Sequence, residues 1–162
     1  MESKLTGKRI LLLVSTDITF DQRVQRTART LTELGAYVHI IGRKLPTSVA
    51  VDWPEIQIHR LELSALSGPR MYFQLNQRMY KSARGAQWDI VVSNDFDTLL
   101  AGYRISRASH AAWVLDAHEH FIEVPELIGR DSKRYAWHAL GLWASKRLDA
   151  AYTVSDSLSR IL

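Results

Sequence analysis

Residues 8–41 read KRILLLVSTDITFDQRVQRTARTLTELGAYVHII, and this stretch decides the fold of the chain. The uninterrupted apolar run at 10–14 is typical of a strand that is buried on both faces, as in a parallel sheet. Apolar residues then recur at helical spacing over 21–34, and Gly35 stands where the cap of a helix belongs. A second strand over 37–41 completes a βαβ unit within about 35 residues.

The remainder of the chain repeats this alternation of strands and helices. An alternating apolar pattern at 56–61 predicts a more exposed strand near a sheet edge, and shorter apolar runs predict further buried strands. The predicted later strands are 90–92, 112–115 and 150–154, and the predicted helices are 70–84, 98–106 and 133–148. We therefore predict one α/β domain over 1–162, a Rossmann-like open parallel sheet of about six strands with helices on both faces.

Composition excludes several classes of protein and of site. The chain has 162 residues, 46% of them hydrophobic, with 21 Lys and Arg against 17 Asp and Glu, a net charge of +4. It contains no cysteine, which excludes disulfide scaffolds, thiolate zinc sites, iron–sulfur clusters and cysteine nucleophiles. The sequence has neither an apolar run of about 18 residues nor a signal peptide, so we expect a cytoplasmic protein.

Polar residues cluster after three of the predicted strands, where ligands bind in open α/β sheets. Each cluster sits at the carboxyl end of its strand, and those ends converge on one edge of the sheet. The candidate ligand-contacting residues are Thr16 and Asp17 after the first strand, Asn94 and Asp95 after the fourth, and His118 and Glu119 after the fifth.

These clusters do not match the common nucleotide and metal motifs. The first loop has no glycine, so it is neither a dinucleotide fingerprint nor a P-loop. Asp21 is expected to cap the following helix, which leaves Asp17 freer to face a ligand. His118, Glu119 and His120 are adjacent, but alternate residues of a strand end point in opposite directions and no third ligand is evident nearby. We therefore expect no bound metal, with His118 contacting substrate oxygens instead.

The excess positive charge lies in one predicted helix. Between residues 64 and 88 there is no acidic residue, and Arg70, Arg78, Lys81 and Arg84 share one helical face. Such a face can lie on an anionic membrane or bind an acidic partner, and it can equally be a solvated surface over a core. No nucleic-acid-binding motif accompanies it, so we do not expect a nucleic-acid partner.

Four ordered stretches carry a family resemblance. They are the segment 8–38 quoted above with its DQRV helix start, WDIVVSND at 88–95, VLDAHE at 114–119 and LDAAYTVS at 148–155. In this order the sequence resembles the N-terminal domain of GT-B-fold glycosyltransferases, especially glycosyltransferase family 4.

The resemblance implies transfer of a sugar from a nucleotide-sugar co-substrate to a glycan or lipid-linked acceptor, with retention, without a metal and without another cofactor. It implies that this domain holds the acceptor and that a C-terminal domain holds most of the donor. By the same resemblance His118 would lie closest to the reacting centre, and Glu119 would orient either His118 or the loop. Asn94 and Asp95 would contact acceptor hydroxyls, and Thr16 and Asp17 would line the cleft near donor phosphate or acceptor.

Two departures from the family pattern shape the remaining expectations. Residues 16–20 replace the glycine-rich turn of many relatives, and the C-terminal nucleotide-sugar domain is absent from this chain. Residues 155–162 begin like a capped helix, which we interpret as a chain cut short. We therefore expect the fragment alone to be inactive, in a parent enzyme that is cytoplasmic or peripheral at the inner face of the membrane. Alternative functions are a stand-alone, non-catalytic α/β binding or regulatory module, or part of a GT-B nucleotide-sugar epimerase.

Overall fold

The computed structural model describes residues 3–117 and 131–153. Within them, strands and helices alternate along the chain. In order they are β1 (Arg9–Leu13), α1 (Gln22–Glu33), β2 (Tyr37–Lys44), β3 (Gln57–Glu62), α2 (Gly68–Ala83), β4 (Ile90–Asn94), a 3₁₀ turn (Phe96–Thr98), α3 (Leu99–Ser109), β5 (Ala112–Ala117), α4 (Asp131–Ser145) and β6 (Ala150–Thr153).

The six strands form one parallel sheet in the order β3-β2-β1-β4-β5-β6. This arrangement confirms the predicted Rossmann-like α/β sheet, and β3 occupies an edge as its alternating pattern indicated. The chain runs outward from β1 in one direction and then returns to β4 on the other side of it. The gap between the carboxyl ends of β1 and β4 is therefore the topological switch point, where open α/β sheets bind ligands.

Helices cover both faces of the sheet because alternate strand residues point to opposite sides. Ile10 and Leu12 pack with α1 residues such as Val24, while Leu11 and Leu13 belong to the core formed with α2 and α3. A third apolar cluster joins β5 to α4. Every β1 residue from 10 to 13 is fully buried, which explains why that strand reads as a continuous apolar run.

One close approach fixes how α3 sits on the sheet. The indole Nε1 of Trp113 donates to Oγ of Ser93 over 3.0 Å beneath α3, at the position of Gly102. A Cβ at Gly102 would lie 2.1 Å from that Ser93 oxygen, so only glycine lets α3 pack this closely. Tyr103 and Trp143 pack around the same indole.

The boundaries differ modestly from those expected. α4 covers residues 131–145, whereas the sequence pattern predicted 133–148. The backbone amides of Arg147 and Leu148 both donate to the carbonyl of Ala144, so a single tightened turn follows the helix over residues 144–148. The predicted short helix at 155–162 lies outside the described residues. Among the residues described, none of the helices has the length and apolar character needed to cross a membrane.

Candidate functional site

An open cleft of about 570 Å³ lies at the carboxyl edge of the sheet, at the switch point between β1 and β4. Two loops and the first turns of α1 form most of its wall. Its lining residues are Thr16, Asp17, Phe20, Asp21, Gln22, Arg23, Arg26, Leu45 and Asp95. The structure thus brings Thr16, Asp17 and Asp95, three of the residues singled out from the sequence, to one cavity.

Asp17 borders this cleft, but its carboxylate is engaged with the protein. Its Oδ1 accepts from the Thr19 amide at 3.0 Å and from Nη2 of Arg60 at 2.9 Å, and its Oδ2 accepts from the Ser48 hydroxyl. Burial opposes ionisation, but the hydrogen bonds from Ser48 and Thr19 and the charge of Arg60 hold the pKa of Asp17 below its usual value. Asp17 therefore lines the cleft with a side chain that is 1% exposed and already bonded to the protein, and its contact with a ligand stays a prediction.

Thr16 and Asp21 form the next part of the wall. Oδ1 of Asp21 accepts from the Val24 amide at 3.2 Å, which is the helix cap that the sequence predicted. Its Oδ2 lies 3.3 Å from the hydroxyl of Thr16, which is itself exposed. Thr16 therefore presents a hydroxyl to the cleft from a loop that the capped helix holds in place.

Asn94 is the last residue of β4 and Asp95 follows it, and their side chains have different environments. Asn94 is 3% exposed and donates from Nδ2 to the Leu13 carbonyl at 3.0 Å, while its Oδ1 is buried without a hydrogen-bond partner among the described residues. Asp95 lines the cleft with φ 64° and ψ 169°, a backbone conformation that is nearly exclusive to glycine. Asn94 thus joins β4 to β1 beneath the cleft, and Asp95 holds a strained conformation at its rim.

Asp97 was not among the candidates drawn from the sequence, yet it lies in the same loop. Burial raises its pKa to about 7, the charge of Asp95 adds to this, and a hydrogen bond with Ser15 opposes it. Its carbonyl accepts from Nδ2 of Asn76, a buried α2 side chain, at 2.7 Å. The aspartate two residues after Asp95 was the available signal, but its partners, Ser15 after β1 and Asn76 of α2, are remote in sequence.

Arg23 and Arg26 fall between the apolar positions of the helical pattern over 21–34 and were not among the site residues predicted from the sequence. In the structure both line the cleft from the first turns of α1, and Arg26 Nε donates to the Gln22 carbonyl at 3.3 Å. Among the described residues neither guanidinium has an acidic side chain within ion-pair distance. The cleft therefore combines hydroxyl and carboxylate groups with two unpaired cations.

Comparison with known proteins identifies the family. The model of the glycosyl transferase 4-like domain matches residues 21–162. The chain belongs to this family. The glycosyltransferase domain also resembles a solved structure of sucrose-phosphate synthase from Thermosynechococcus elongatus, with a TM-score of 0.60 and 16% identity over 94% of this chain and 80% of that one. A search of curated proteins by sequence found no match.

These comparisons confirm the family-4-like resemblance and the GT-B type of fold. The family match begins at Asp21, so it includes α1 and the β4–α3 loop that carries Asn94, Asp95 and Asp97. His118 and Glu119, expected nearest the reacting centre, lie outside the described residues, and their roles stay predictions.

No group of three or more His, Asp or Glu side chains within residues 3–117 and 131–153 has an arrangement that could hold a metal ion. Two other carboxyl-edge groups are engaged with the protein. Asp116 is 3% exposed and forms a hydrogen bond with Tyr152. Burial of the Tyr152 hydroxyl and the nearby Asp116 carboxylate raise the pKa of Tyr152. The glycosyltransferase domain therefore presents its cleft chemistry mainly from the β1–α1 and β4–α3 loops.

The basic surface of α2 lies away from this cleft. Arg70, Lys81 and Arg84 are exposed, whereas Arg78 donates from Nη1 to the Glu62 carbonyl at the end of β3. Phe73 stands on the exposed side of the same helix with 71% of its surface accessible. All four cations are exposed, Arg78 with one hydrogen bond to the end of β3, and the structure adds an exposed aromatic side chain that the charge pattern had not indicated.

Proposed function

We propose that this glycosyltransferase domain is the acceptor-binding half of a GT-B enzyme. The parent enzyme transfers a hexose-type sugar from a nucleotide-sugar donor to a glycan or lipid-linked acceptor, as in polysaccharide biosynthesis. The observation that carries the proposal is the family match over 21–162 together with a cleft at the topological switch point of the sheet.

The lining of the cleft supports an acceptor rich in hydroxyl groups. Asp95 offers carboxylate oxygens that can accept hydrogen bonds from sugar hydroxyls, and Thr16 offers a hydroxyl that can donate or accept. The 570 Å³ volume is within the range of small-molecule sites and suits one or two sugar rings. In the proposed mechanism these groups position the attacking hydroxyl, which converts sugar transfer into an oriented reaction of two bound substrates.

The remaining parts of the mechanism come from the family resemblance. The donor binds mainly to a second domain, the reaction proceeds with retention and without a metal ion, and His118 with Glu119 acts closest to the transferred sugar. His118 would donate a hydrogen bond to substrate oxygens and so stabilise charge that develops in the transition state. The stereochemistry is tested by proton NMR of the product formed by the two-domain enzyme.

Saccharide binding by the chain is the direct test of the acceptor assignment. We expect saturation-transfer NMR with a panel of neutral and acidic oligosaccharides to detect binding, and Asp95→Asn to weaken it about tenfold through loss of an accepted hydrogen bond. Glu33→Gln is the matched control, since Glu33 lies at the opposite end of α1. Absence of binding to every saccharide, or equal loss in both variants, contradicts the proposal.

Turnover tests the requirement for a second domain. We expect no transfer when the chain is incubated with acceptor saccharides and radiolabelled UDP-glucose, UDP-galactose, UDP-N-acetylglucosamine or GDP-mannose. Detectable transfer from any of these donors by the chain alone would contradict the proposal that another domain holds the donor.

We also propose that α2 faces an anionic membrane, at the cytoplasmic side, where a lipid-linked acceptor would be presented. Three exposed cations and Phe73 on one helical surface support this interaction, because basic residues attract anionic headgroups and an aromatic ring can enter the interface.

A further inference from the structure

Two guanidinium groups, those of Arg23 and Arg26, line the cleft. Arg23 and Arg26 lie three residues apart on α1, so they project from the same side of the helix into the cavity. No ion pair involves either of them in the part of the chain that the structure describes. Within residues 3–117 and 131–153, Arg26 hydrogen-bonds through its Nε and its Nη atoms have no partner.

The carboxylates near these arginines are committed to protein groups. Both oxygens of Asp21 accept hydrogen bonds, from the Val24 amide and the Thr16 hydroxyl. Asp17 is neutralised by Arg60 on the far side of the loop. On the α1 wall the cleft therefore has two arginine charges, Arg23 and Arg26, against the single carboxylate charge of Asp21.

Two backbone amides of the β1–α1 loop are not available to an anion. The amides of Thr19 and Phe20 donate to the side chain and the carbonyl of Asp17. A glycine-rich turn can bind phosphate through free amides, but these two donors are used within the loop. The charged donors that line the cleft at the α1 wall are the guanidinium groups of Arg23 and Arg26.

We propose that the acceptor carries a phosphate group and that Arg23 and Arg26 bind it. This inference rests on the proposed acceptor function and specifies the chemical class of the acceptor. Guanidinium groups bind phosphate oxygens through paired, charge-assisted hydrogen bonds, and two of them balance a phosphate dianion. Phe20 and Leu45 also line the cleft, with Phe20 66% exposed, so the phosphate belongs either to a phosphorylated sugar or to an isoprenoid-linked acceptor.

Inorganic phosphate is the first probe. We expect a titration of the chain followed by ¹H–¹⁵N NMR to give saturable shifts concentrated at Gln22, Arg23 and Arg26, at constant ionic strength. Arg23→Gln and Arg26→Gln should each weaken binding about fivefold or more. Arg29→Gln is the matched control, because Arg29 lies one turn further along α1 and lines a different pocket.

Three further ligands separate the sources of the phosphate. Glucose 6-phosphate binding at least tenfold more tightly than glucose supports a phosphorylated sugar. If farnesyl phosphate binds more tightly than inorganic phosphate, and Phe20→Ser removes this difference in affinity, the acceptor is isoprenoid-linked. UDP binding more tightly than both would overturn the acceptor assignment, since the phosphate would then belong to the donor.

The failure of this inference is distinct from failure of the proposed function. Shifts that spread over α2, or that persist in the Arg23→Gln, Arg26→Gln double variant, overturn the phosphate site. If neutral saccharides bind through Asp95 and a phosphorylated sugar binds no more tightly, the phosphate site is also overturned. The acceptor-binding function then still stands.

Discussion

Nη2 of Arg60 lies 2.9 Å from Oδ1 of Asp17, and this ion pair joins strand β3 to the loop that follows β1. The side chains are 14% and 1% exposed, so solvent screens the pair far less than it screens the other ion pairs of the described chain. Arg60 also donates to the Val49 carbonyl at 2.6 Å. One guanidinium therefore holds the β1–α1 loop and the β2–β3 loop together beside the cleft.

Asp17→Ala should destabilise the domain by about 3 kcal/mol, because removing one partner leaves a buried charge uncompensated. Urea unfolding followed by tryptophan fluorescence measures the free energy of unfolding. Lys44→Gln is the control: it breaks the exposed Lys44–Glu62 pair and should leave the unfolding midpoint unchanged. Equal effects of the two substitutions would mean that the Arg60 pair contributes no more than a surface contact.

The architecture could be predicted because it depends on local patterns. Apolar runs, helical spacing and capping residues such as Asp21 and Gly35 are all encoded within one element or its neighbour. These signals gave the six strands, the edge position of β3 and the helices on both faces. The family motifs then pointed to the glycosyltransferase fold that the comparisons confirm.

The use of each polar residue could not be predicted, because it depends on partners far away in the sequence. Asp17 pairs with Arg60, 43 residues later, and Asn94 bonds the carbonyl of Leu13, 81 residues earlier. Likewise, Arg78 belongs to the basic face by helical geometry but bonds the Glu62 carbonyl. Sequence spacing places a side chain at the sheet edge without showing whether it faces the cleft or the protein.

Gly102→Ala should destabilise the domain by about 2 kcal/mol, although alanine favours helices over glycine. The added methyl group would overlap Oγ of Ser93 and the indole of Trp113, so α3 must move away from the sheet. Urea unfolding and the near-ultraviolet signal of the buried tryptophan report the change. Ala108→Ser, on the exposed side of α3, should have little effect; a neutral result for Gly102→Ala would show that α3 shifts at no cost.

Lys81→Glu should weaken co-sedimentation of the chain with vesicles of phosphatidylglycerol and phosphatidylcholine at low salt, by about fivefold. Phe73→Ser should reduce the binding that remains at high salt, because it removes apolar contact rather than charge. Arg29→Glu makes the same charge change on α1, across the sheet from α2, and should leave binding unchanged. Equal binding by Lys81→Glu and the parent chain would contradict a membrane role for α2.

Because of Asp97, the free energy of unfolding should fall as the pH rises from about 4 to about 7. Burial raises its folded-state pKa from 3.8 to about 7, so between these values the folded chain keeps a proton that the unfolded chain has released. The free energy of unfolding therefore decreases from about pH 4 to about pH 7 and levels off above that. Asp97→Asn should remove this slope in urea unfolding series, whereas Asp52→Asn, in an exposed loop, should retain it. A slope that survives in Asp97→Asn would assign the titration to another group.

The backbone conformation of Asp95 should lower the free energy of unfolding of the domain. Its φ of 64° with ψ of 169° suits glycine, and a side chain there costs on the order of 1–3 kcal/mol. Asp95→Gly should therefore be more stable than Asp95→Ala by about 1 kcal/mol in urea unfolding, since both lack the carboxylate and only glycine relieves the backbone. Both variants should lose saccharide binding to a similar extent, because binding depends on the carboxylate and not on the strain. If Asp95→Gly gains no stability over Asp95→Ala, the left-handed conformation is not maintained in solution; if it gains stability and still binds, the carboxylate is not the group that contacts the acceptor.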